Sequence, residues 1–425
     1  MYVYIDEAGN TGLHIIEPDQ PIFVAVAVVS AEDFDSKFTD RLYRICDGKE
    51  LHAQEWGPSE IEKVAAPLKS LLIDADIRVV VQHIEKRSYA AWALARVLFD
   101  PYLNQCVPYS LLGSRQGKKL VAGELGRCIP GEILELIWSS FTERGIDRAA
   151  PLRLAISRMP EWISRGMAGT ALRRILLHGI QGLRRDFDIH SEYLGNPLIR
   201  KSLSPNIYAF QHMLSHVCSW AKECGTEIKE IKHDPQQQFG QELRFAHKAI
   251  GIEGSGRLFG PYDLIDPSAT RNSVFSLHPS NKQSAGVKIA DVIGWLCLRK
   301  VYGKPIGVNS TDLLFYITGI ARVDRIDTEF LVAEQSSCLS ILRDTSLSKG
   351  KLDEFLNRYR PELYTQFKLN DAVTSELRDL FQRQGMSSDE KVERLIAIYN
   401  NLDYGAGIDW SQVENMSWQT AHTQM

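Results

Sequence analysis

Two apolar stretches near the N-terminus decide the fold: residues 2–5 read YVYI and residues 22–29 read IFVAVAVV. The first stretch is rich in β-branched and aromatic residues and runs directly into Asp6. The second is a continuous apolar run, a pattern typical of a strand that is buried on both faces. A third run of this kind, IRVVVQHI, covers residues 77–84. We therefore predict three strands at the start of an α/β fold.

Helical periodicity fills most of the remaining sequence. Apolar residues recur at helical spacing from residue 86 to about 222, as in GEILELIWSSF over 131–141, with almost no strand signal. The other predicted elements are helices over 32–46, 58–73 and 286–301, and short strands over 226–232 and 273–277. Beyond Gly303 the pattern is again mainly helical.

The order of these elements predicts three regions. Residues 1–85 and 226–303 form a discontinuous core, a mixed sheet with flanking helices. Residues 86–225 form a helical insertion, which must be a layer or subdomain of its own because long loops without structure are uncommon. Residues 304–425 form a helical C-terminal region, which is a candidate surface for a protein partner.

The charge of the chain is balanced overall but segregated locally. The 425 residues carry 49 Lys and Arg against 53 Asp and Glu, so no global basic field indicates a nucleic-acid partner. Residues 151–202, however, hold nine basic and four acidic side chains. This segment is a candidate phosphate-binding surface, and an ordinary solvated helical face is the equal alternative. The predicted contacts are Arg173, Arg174, Arg184 and Arg185.

Cysteine usage and the N-terminus predict the compartment. The seven cysteines are odd in number and none forms a C-x-x-C pair, which argues against a zinc ribbon and a disulfide framework. The first ten residues contain acids and no basic segment, unlike a signal peptide. The longest apolar run, residues 23–29, is too short to span a bilayer. We expect a soluble, reducing, cytoplasmic protein without a membrane partner.

Three aspartates are the candidate catalytic and metal-binding residues. Asp6 follows the first strand directly, whereas its neighbour Glu7 should point to the other face of the sheet. Asp234 ends a predicted strand before Pro235. Both residues are also ordinary turn formers, which is the competing interpretation. Asp291 lies in an apolar helix, where a carboxylate is costly unless it is paired or binds a metal.

Three carboxylates suit a hard divalent cation, Mg²⁺ or Mn²⁺. The segment GKELHA over 48–53 adds Glu50 as a fourth acid and His52 as a proton carrier or phosphate contact, with a solvated turn as the alternative. Asn10, in the turn after the first strand, is a further candidate substrate contact.

Four motifs in this order resemble the domain of unknown function 3800 family: YIDEAGNTG (4–12), ELHA (50–53), HDPQQQF (233–239) and SAGVKIAD (284–291). The resemblance implies a ribonuclease H-like fold and an acidic site of Asp6, Asp234 and Asp291, with Glu50 as a weaker fourth member. It also implies an association with mobile elements and bacterial defence. Lys288 stands where the family has Gln, and this cation would either contact phosphate or replace a lost metal.

The leading hypothesis is a metal-dependent nuclease that hydrolyses RNA or DNA. The alternative is a non-catalytic scaffold or binding subunit that keeps the fold around a degenerate site. An ATPase ranks last because the sequence has no G-x-x-x-x-G-K-[ST] loop, and the Gly-rich stretch GSGRLFG over 254–260 fits a loop better.

Overall fold

A computed structural model describes most of the first 327 residues of the chain. The described residues are 1–9, 19–101, 103–104, 106–107, 115–142, 149–166, 170–195, 203–235, 239–250, 270, 272–277 and 283–327. The chain divides into two compact units. The first comprises residues 1–86, 201–259 and 263–327, and the second comprises residues 87–200, 260–262 and 328–425.

A six-stranded mixed sheet forms the centre of the first unit. Its strands are β1 (Tyr2–Ala8), β2 (Ile22–Ser30), β3 (Arg78–Glu85), β4 (Glu230–His233), β5 (Val274–Ser276) and β6 (Ala321–Ile326), arranged in the order β5-β4-β1-β2-β3-β6. β2 runs antiparallel to β1 and β3, and the other three pairs are parallel. The carboxyl ends of β1, β3, β4, β5 and β6 therefore lie at one edge of the sheet.

In chain order the described helices are α1 (Phe34–Ile45), α2 (Ala53–Asp74), α3 (Lys86–Leu98), α4 (Arg115–Cys128), α5 (Gly131–Thr142), α6 (Ala149–Gly166), α7 (Thr170–Arg185), α8 (Phe187–Gly195), α9 (Pro205–Glu223), α10 (Gly240–Ile250), α11 (Ala285–Val301) and α12 (Val308–Ile320). Every secondary-structure element described within residues 87–200 is a helix, in agreement with the helical periodicity of the sequence. None of the described helices has the length and apolar character of a membrane span.

Strand alternation gives the sheet two distinct faces. Alternate residues such as Tyr4, Val26 and Val81 pack with α1, α2, α11 and α12 into one apolar core, and we call this side the α11 face. The intervening residues point to the opposite side, where α9 packs against β2 and β3. We call this second side the α9 face.

Two glycines seat α11 directly on the sheet. A Cβ atom at Gly286 would lie 2.2 Å from Cγ of Tyr4, and one at Gly294 would lie 3.2 Å from Cβ of Ala8. These positions and Ala290 are four residues apart, so they share one side of the helix. The absence of bulky side chains lets α11 approach β1 closely, and this approach positions Asp291.

The α/β class and the five predicted strands are confirmed, with boundary shifts of a few residues. The helix predicted from Pro58 is present, and a further helical turn from Ala53 precedes it across a kink at Gly57, where φ is 71°. One strand was missed: β6 lies in the stretch predicted to be helical. Its sequence, ARVDRI, mixes charged and apolar residues as an edge strand does. Residues 328–425 and 254–260 lie outside the described residues.

Candidate active site

The parallel pairing of β1 and β4 brings two of the predicted carboxylates together. Ile5 pairs with His233 in the ladder, and the Asp234 N–H donates to the Ile5 carbonyl oxygen at 3.0 Å. The ladder therefore continues by one residue and places Asp234 beside Asp6 on neighbouring strands. Both residues lie at the carboxyl edge of the sheet, where open α/β sheets bind their ligands.

The third carboxylate, Asp291, comes from α11 on the face that Asp6 shares with Tyr4. Burial, followed by the negative charges of Asp291 and Asp234, raises the pKa of Asp6 well above its ordinary value. Asp6 therefore lies near enough to both Asp291 and Asp234 for their charges to act on it. We call Asp6, Asp234 and Asp291 the acidic cluster.

Backbone N–H groups orient two members of the acidic cluster. Oδ1 of Asp6 accepts the Glu7 N–H at 2.8 Å. Oδ2 of Asp291 accepts the Ala53 N–H at 2.9 Å, at the first residue of α2. Burial raises the pKa of Asp291, while this hydrogen bond and nearby His52 oppose the rise. Asp291 thus also serves as an anion at the N-terminus of a helix.

The other predicted site residues lie at different distances from the acidic cluster. His52 precedes α2, and its Nδ1 atom lies 3.9 Å from Oδ2 of Asp291. Glu50 is exposed, and its Oε1 atom lies 3.2 Å from Nζ of Lys288, which is mostly buried. Lys288 therefore forms an ion pair with Glu50. Asn10 lies outside the described residues.

The donor set of the acidic cluster matches a hard cation in kind. Mg²⁺ and Mn²⁺ prefer oxygen ligands, and a cation would relieve the repulsion that raises the pKa of Asp6. Within the part of the chain that the structure describes, no three His, Cys, Asp or Glu side chains are gathered into a ready-made metal site. The carboxylates thus fit the cation by chemistry, and a complete ligand shell requires further oxygen donors or movement of these side chains.

Sequence reasoning missed a polar group behind the acidic cluster, on the α9 face. Glu7 accepts a hydrogen bond from Nδ2 of Asn206 at 2.6 Å, and its Oε1 atom lies 3.6 Å from Nε2 of His233. Glu7 and His233 were visible only as neighbours of Asp6 and Asp234. Asn206 gave no signal, since it is 199 residues away from Glu7.

A second missed group lies on the α11 face beside Tyr4 and Lys232, which precede Asp6 and Asp234 by two residues. Asp35 accepts hydrogen bonds from Ser284 Oγ at 2.9 Å, the Gly286 N–H at 3.0 Å and Lys232 Nζ at 2.8 Å. Tyr4 joins the same region by donating its hydroxyl to Asp33 at 2.9 Å. We call Asp33, Asp35, Lys232 and Ser284 the capping cluster, because Asp33 and Ser284 cap α1 and α11.

The predicted phosphate-binding arginines lie in the second unit, on α7. Arg184 donates to the carbonyl oxygens of Ile156 and Ser157, and Arg185 pairs with Asp186 at 2.7 Å. These contacts engage part of each guanidinium group. The other two predicted contacts are more open: Arg173 is half-buried and Arg174 is exposed.

Comparison of the chain with protein-family models, curated proteins and solved structures finds no match. The resemblance described above therefore stays a prediction carried by its four motifs.

Proposed function

We propose that the chain is a metal-dependent nuclease whose acidic cluster holds Mg²⁺ or Mn²⁺ and hydrolyses RNA or DNA phosphodiesters. One observation carries the proposal. Asp6 from β1, Asp234 from β4 and Asp291 from α11 converge on one face and at one edge of the sheet, although they are far apart in sequence. Buried acids are normally matched with cations, and Asp6 instead meets the negative charges of Asp291 and Asp234.

The strand arrangement supports the finer assignment to a ribonuclease H-like fold. β1, β2 and β3 form an antiparallel meander, and β4 and β5 are added in parallel on the β1 side. The order β5-β4-β1-β2-β3 with only β2 reversed is the arrangement expected of such a core, and β6 extends it at the far edge.

The chemistry follows from the donor set. A divalent cation, when bound, stabilises the negative charge that develops on a phosphate under attack by water. Asp6 and Asp234 would hold the cation, and Asp291 would complete its negative surroundings. His52 is half-exposed beside Asp291 and would carry a proton at Nδ1.

Substrate affinity would come from phosphate contacts that are independent of sequence. Arg158 on α6 and Arg174 on α7 are exposed in the described part of the second unit, which makes them the better candidates for this role.

Cleavage assays test the proposal directly. The full chain is incubated with labelled single- and double-stranded RNA and DNA in Mg²⁺, in Mn²⁺ and in EDTA. The assay includes Asp6→Ala and a matched control, Asp40→Ala, which removes an exposed acid of α1. Cleavage that needs metal, survives in Asp40→Ala and is lost in Asp6→Ala supports the nuclease and identifies its substrate. Metal-independent cleavage, or equal activity of both variants, contradicts it.

A non-catalytic scaffold is the second candidate, and the Lys288–Glu50 ion pair favours it. That pair engages the proposed fourth acid with a cation of the chain itself. The scaffold interpretation predicts neither cleavage nor binding of Mn²⁺ by the wild-type chain.

A further inference from the structure

The carboxyl ends of β1 and β4 each carry two consecutive polar residues, Asp6–Glu7 and His233–Asp234. Successive side chains of a strand point to opposite faces. Asp6 and Asp234 therefore belong to the α11 face, and Glu7 and His233 lie directly behind them on the α9 face. The same two strands therefore carry one polar pair on each face of the sheet.

The rear pair is buried and tied to the front pair through the backbone. The exposed side-chain fraction is 5% for Glu7 and 0% for His233. Nε2 of His233 lies 3.6 Å from Oε1 of Glu7, and Nδ1 lies 2.8 Å from the carbonyl oxygen of Asp234. Because a carbonyl oxygen only accepts hydrogen bonds, Nδ1 is the donor in this contact. His233 therefore bonds to the main chain of Asp234 and lies beside the Glu7 carboxylate of β1.

Helix α9 fixes the other oxygen of Glu7. Asn206 donates from Nδ2 to Oε2 of Glu7 at 2.6 Å, and its own Oδ1 accepts the hydroxyl of Ser204 at 3.0 Å. The Glu7 carboxylate only accepts hydrogen bonds, so Nδ2 of Asn206 faces Glu7 and Oδ1 faces the Ser204 hydroxyl. Ser204 also caps α9, so the start of that helix is anchored to the end of β1.

Stability alone is a poor reason for such a group. The neighbouring positions on this face of β1, Val3 and Ile5, are fully buried and apolar. A well-packed apolar pair in place of a buried acid and base is often neutral or stabilising. A buried polar group is justified when it fixes the geometry of a site, and groups behind metal ligands do this by orienting the ligands.

We propose that Glu7, His233 and Asn206 form a positioning triad that sets the spacing and orientation of Asp6 and Asp234 for a divalent cation. The triad acts through the strands: it holds the ends of β1 and β4 together and fixes the Asp234 carbonyl group. Its role rests on the proposed function, and it adds three positioning residues to the proposed cation-binding residues.

Titration of the full chain with Mn²⁺ alone, followed by calorimetry, tests the triad. The variants are Glu7→Gln, His233→Phe, His233→Asn and Asn206→Ala. The matched control is His212→Phe, which removes another buried imidazole of the α9 face. His212 is buried, and its Nδ1 atom lies 3.4 Å from Oδ2 of Asp324. Circular dichroism checks that each variant is folded, and Asn206→Ala keeps the test decisive if His233→Phe does not fold.

We expect Glu7→Gln and His233→Phe to weaken Mn²⁺ binding by about tenfold or more, as substitutions behind metal ligands do. His233→Asn keeps a donor near the Nδ1 position and should recover part of the affinity, whereas His212→Phe should bind as the wild type does. In cleavage assays the loss should appear in kcat rather than in KM. Equal Mn²⁺ affinity in the wild type and the folded triad variants overturns the triad but leaves the nuclease proposal intact. A wild-type chain that binds no Mn²⁺ overturns both.

Discussion

The capping cluster and the acidic cluster both draw residues from the β4 and α11 regions, yet the charges around their acids differ. Lys232 and Ser284 of the capping cluster come from β4 and the start of α11, and Asp33 and Asp35 come from the start of α1. Asp6, Asp234 and Asp291 come from β1, the end of β4 and α11. In the capping cluster, Asp35 meets an ammonium group, a hydroxyl group and a backbone N–H. In the acidic cluster, Asp6 is buried and meets the negative charges of Asp291 and Asp234.

This difference separates a structural acid from a candidate functional one. The capping cluster is complete, because each charge has a partner of opposite sign or a hydrogen-bond donor, and the pKa of Asp33 is lowered accordingly. Burial, followed by the charges of Asp291 and Asp234, raises the pKa of Asp6, so its charged form is less favourable here than in water. A proton or a cation would offset this cost.

The largest expected effect is on catalysis. Asp6→Ala should lower metal-dependent cleavage by a factor on the order of 10³ or more, because it removes a ligand of the cation that stabilises the transition state. Single-turnover cleavage of the best substrate measures the effect, with Asp40→Ala as the control. A loss of less than about tenfold would show that Asp6 does not belong to the reacting centre.

The converse prediction concerns the capping cluster. Asp35→Ala should lower the free energy of unfolding by about 2–3 kcal/mol, because it leaves Lys232 and two further donors without their acceptor. Urea denaturation measures this value. Mn²⁺ affinity of the folded variant should remain near that of the wild type, and a large loss of affinity would break the distinction between the two clusters.

The close packing of α11 against β1 can be tested with two glycine substitutions whose expected effects on stability are smaller. Gly286→Ala should destabilise the chain by about 1–3 kcal/mol, since the new methyl group collides with the ring of Tyr4. Gly294→Ala meets only Ala8 and Val26 at ordinary or slightly short distances, and alanine favours the helix, so we expect a change within about 1 kcal/mol. Urea denaturation compares the two, and equal effects would contradict the close approach at Gly286.

The subtlest prediction concerns pH. The pKa of Asp6 is higher in the folded chain than its ordinary value near 3.8, so the folded state holds this proton more tightly than the unfolded state. The contribution of Asp6 to stability is therefore lost as the pH rises above that ordinary value through the folded pKa. Asparagine cannot ionise, so Asp6→Asn should gain stability over the wild type between pH 4.5 and pH 7.5. Urea denaturation at both pH values measures the gain, and a constant difference would contradict it.

Local patterns were enough to predict the elements that carry the candidate acids. Strand alternation separated Asp6 from Glu7, the stop before Pro235 marked Asp234, and the cost of an acid in an apolar helix marked Asp291. Each inference depends only on the secondary structure around one residue, and the strands and the helix concerned are present in the structure. The existence of five of the six strands was predictable for the same reason.

The rest depends on tertiary pairing, which local patterns do not contain. Asn206 reaches Glu7 only because α9 begins over the end of β1, and Asp35 looks like an ordinary first-turn acid until Lys232 and Ser284 approach it. Glu50 was assigned to the site on its motif, and its ion pair with Lys288 depends on the packing of α11 near the start of α2. β6 was missed because its mixed sequence is typical of an edge strand, and its pairing with β3 determines its conformation.

Calorimetric titration of the wild-type chain and of Asp6→Asn with Mn²⁺ tests the central claim most directly. If the acidic cluster is a cation site, the wild type binds Mn²⁺ and the variant, which keeps the size of the side chain and loses one negative charge, binds at least tenfold more weakly. Binding of equal strength in both, or no binding by the wild type, would contradict the assignment.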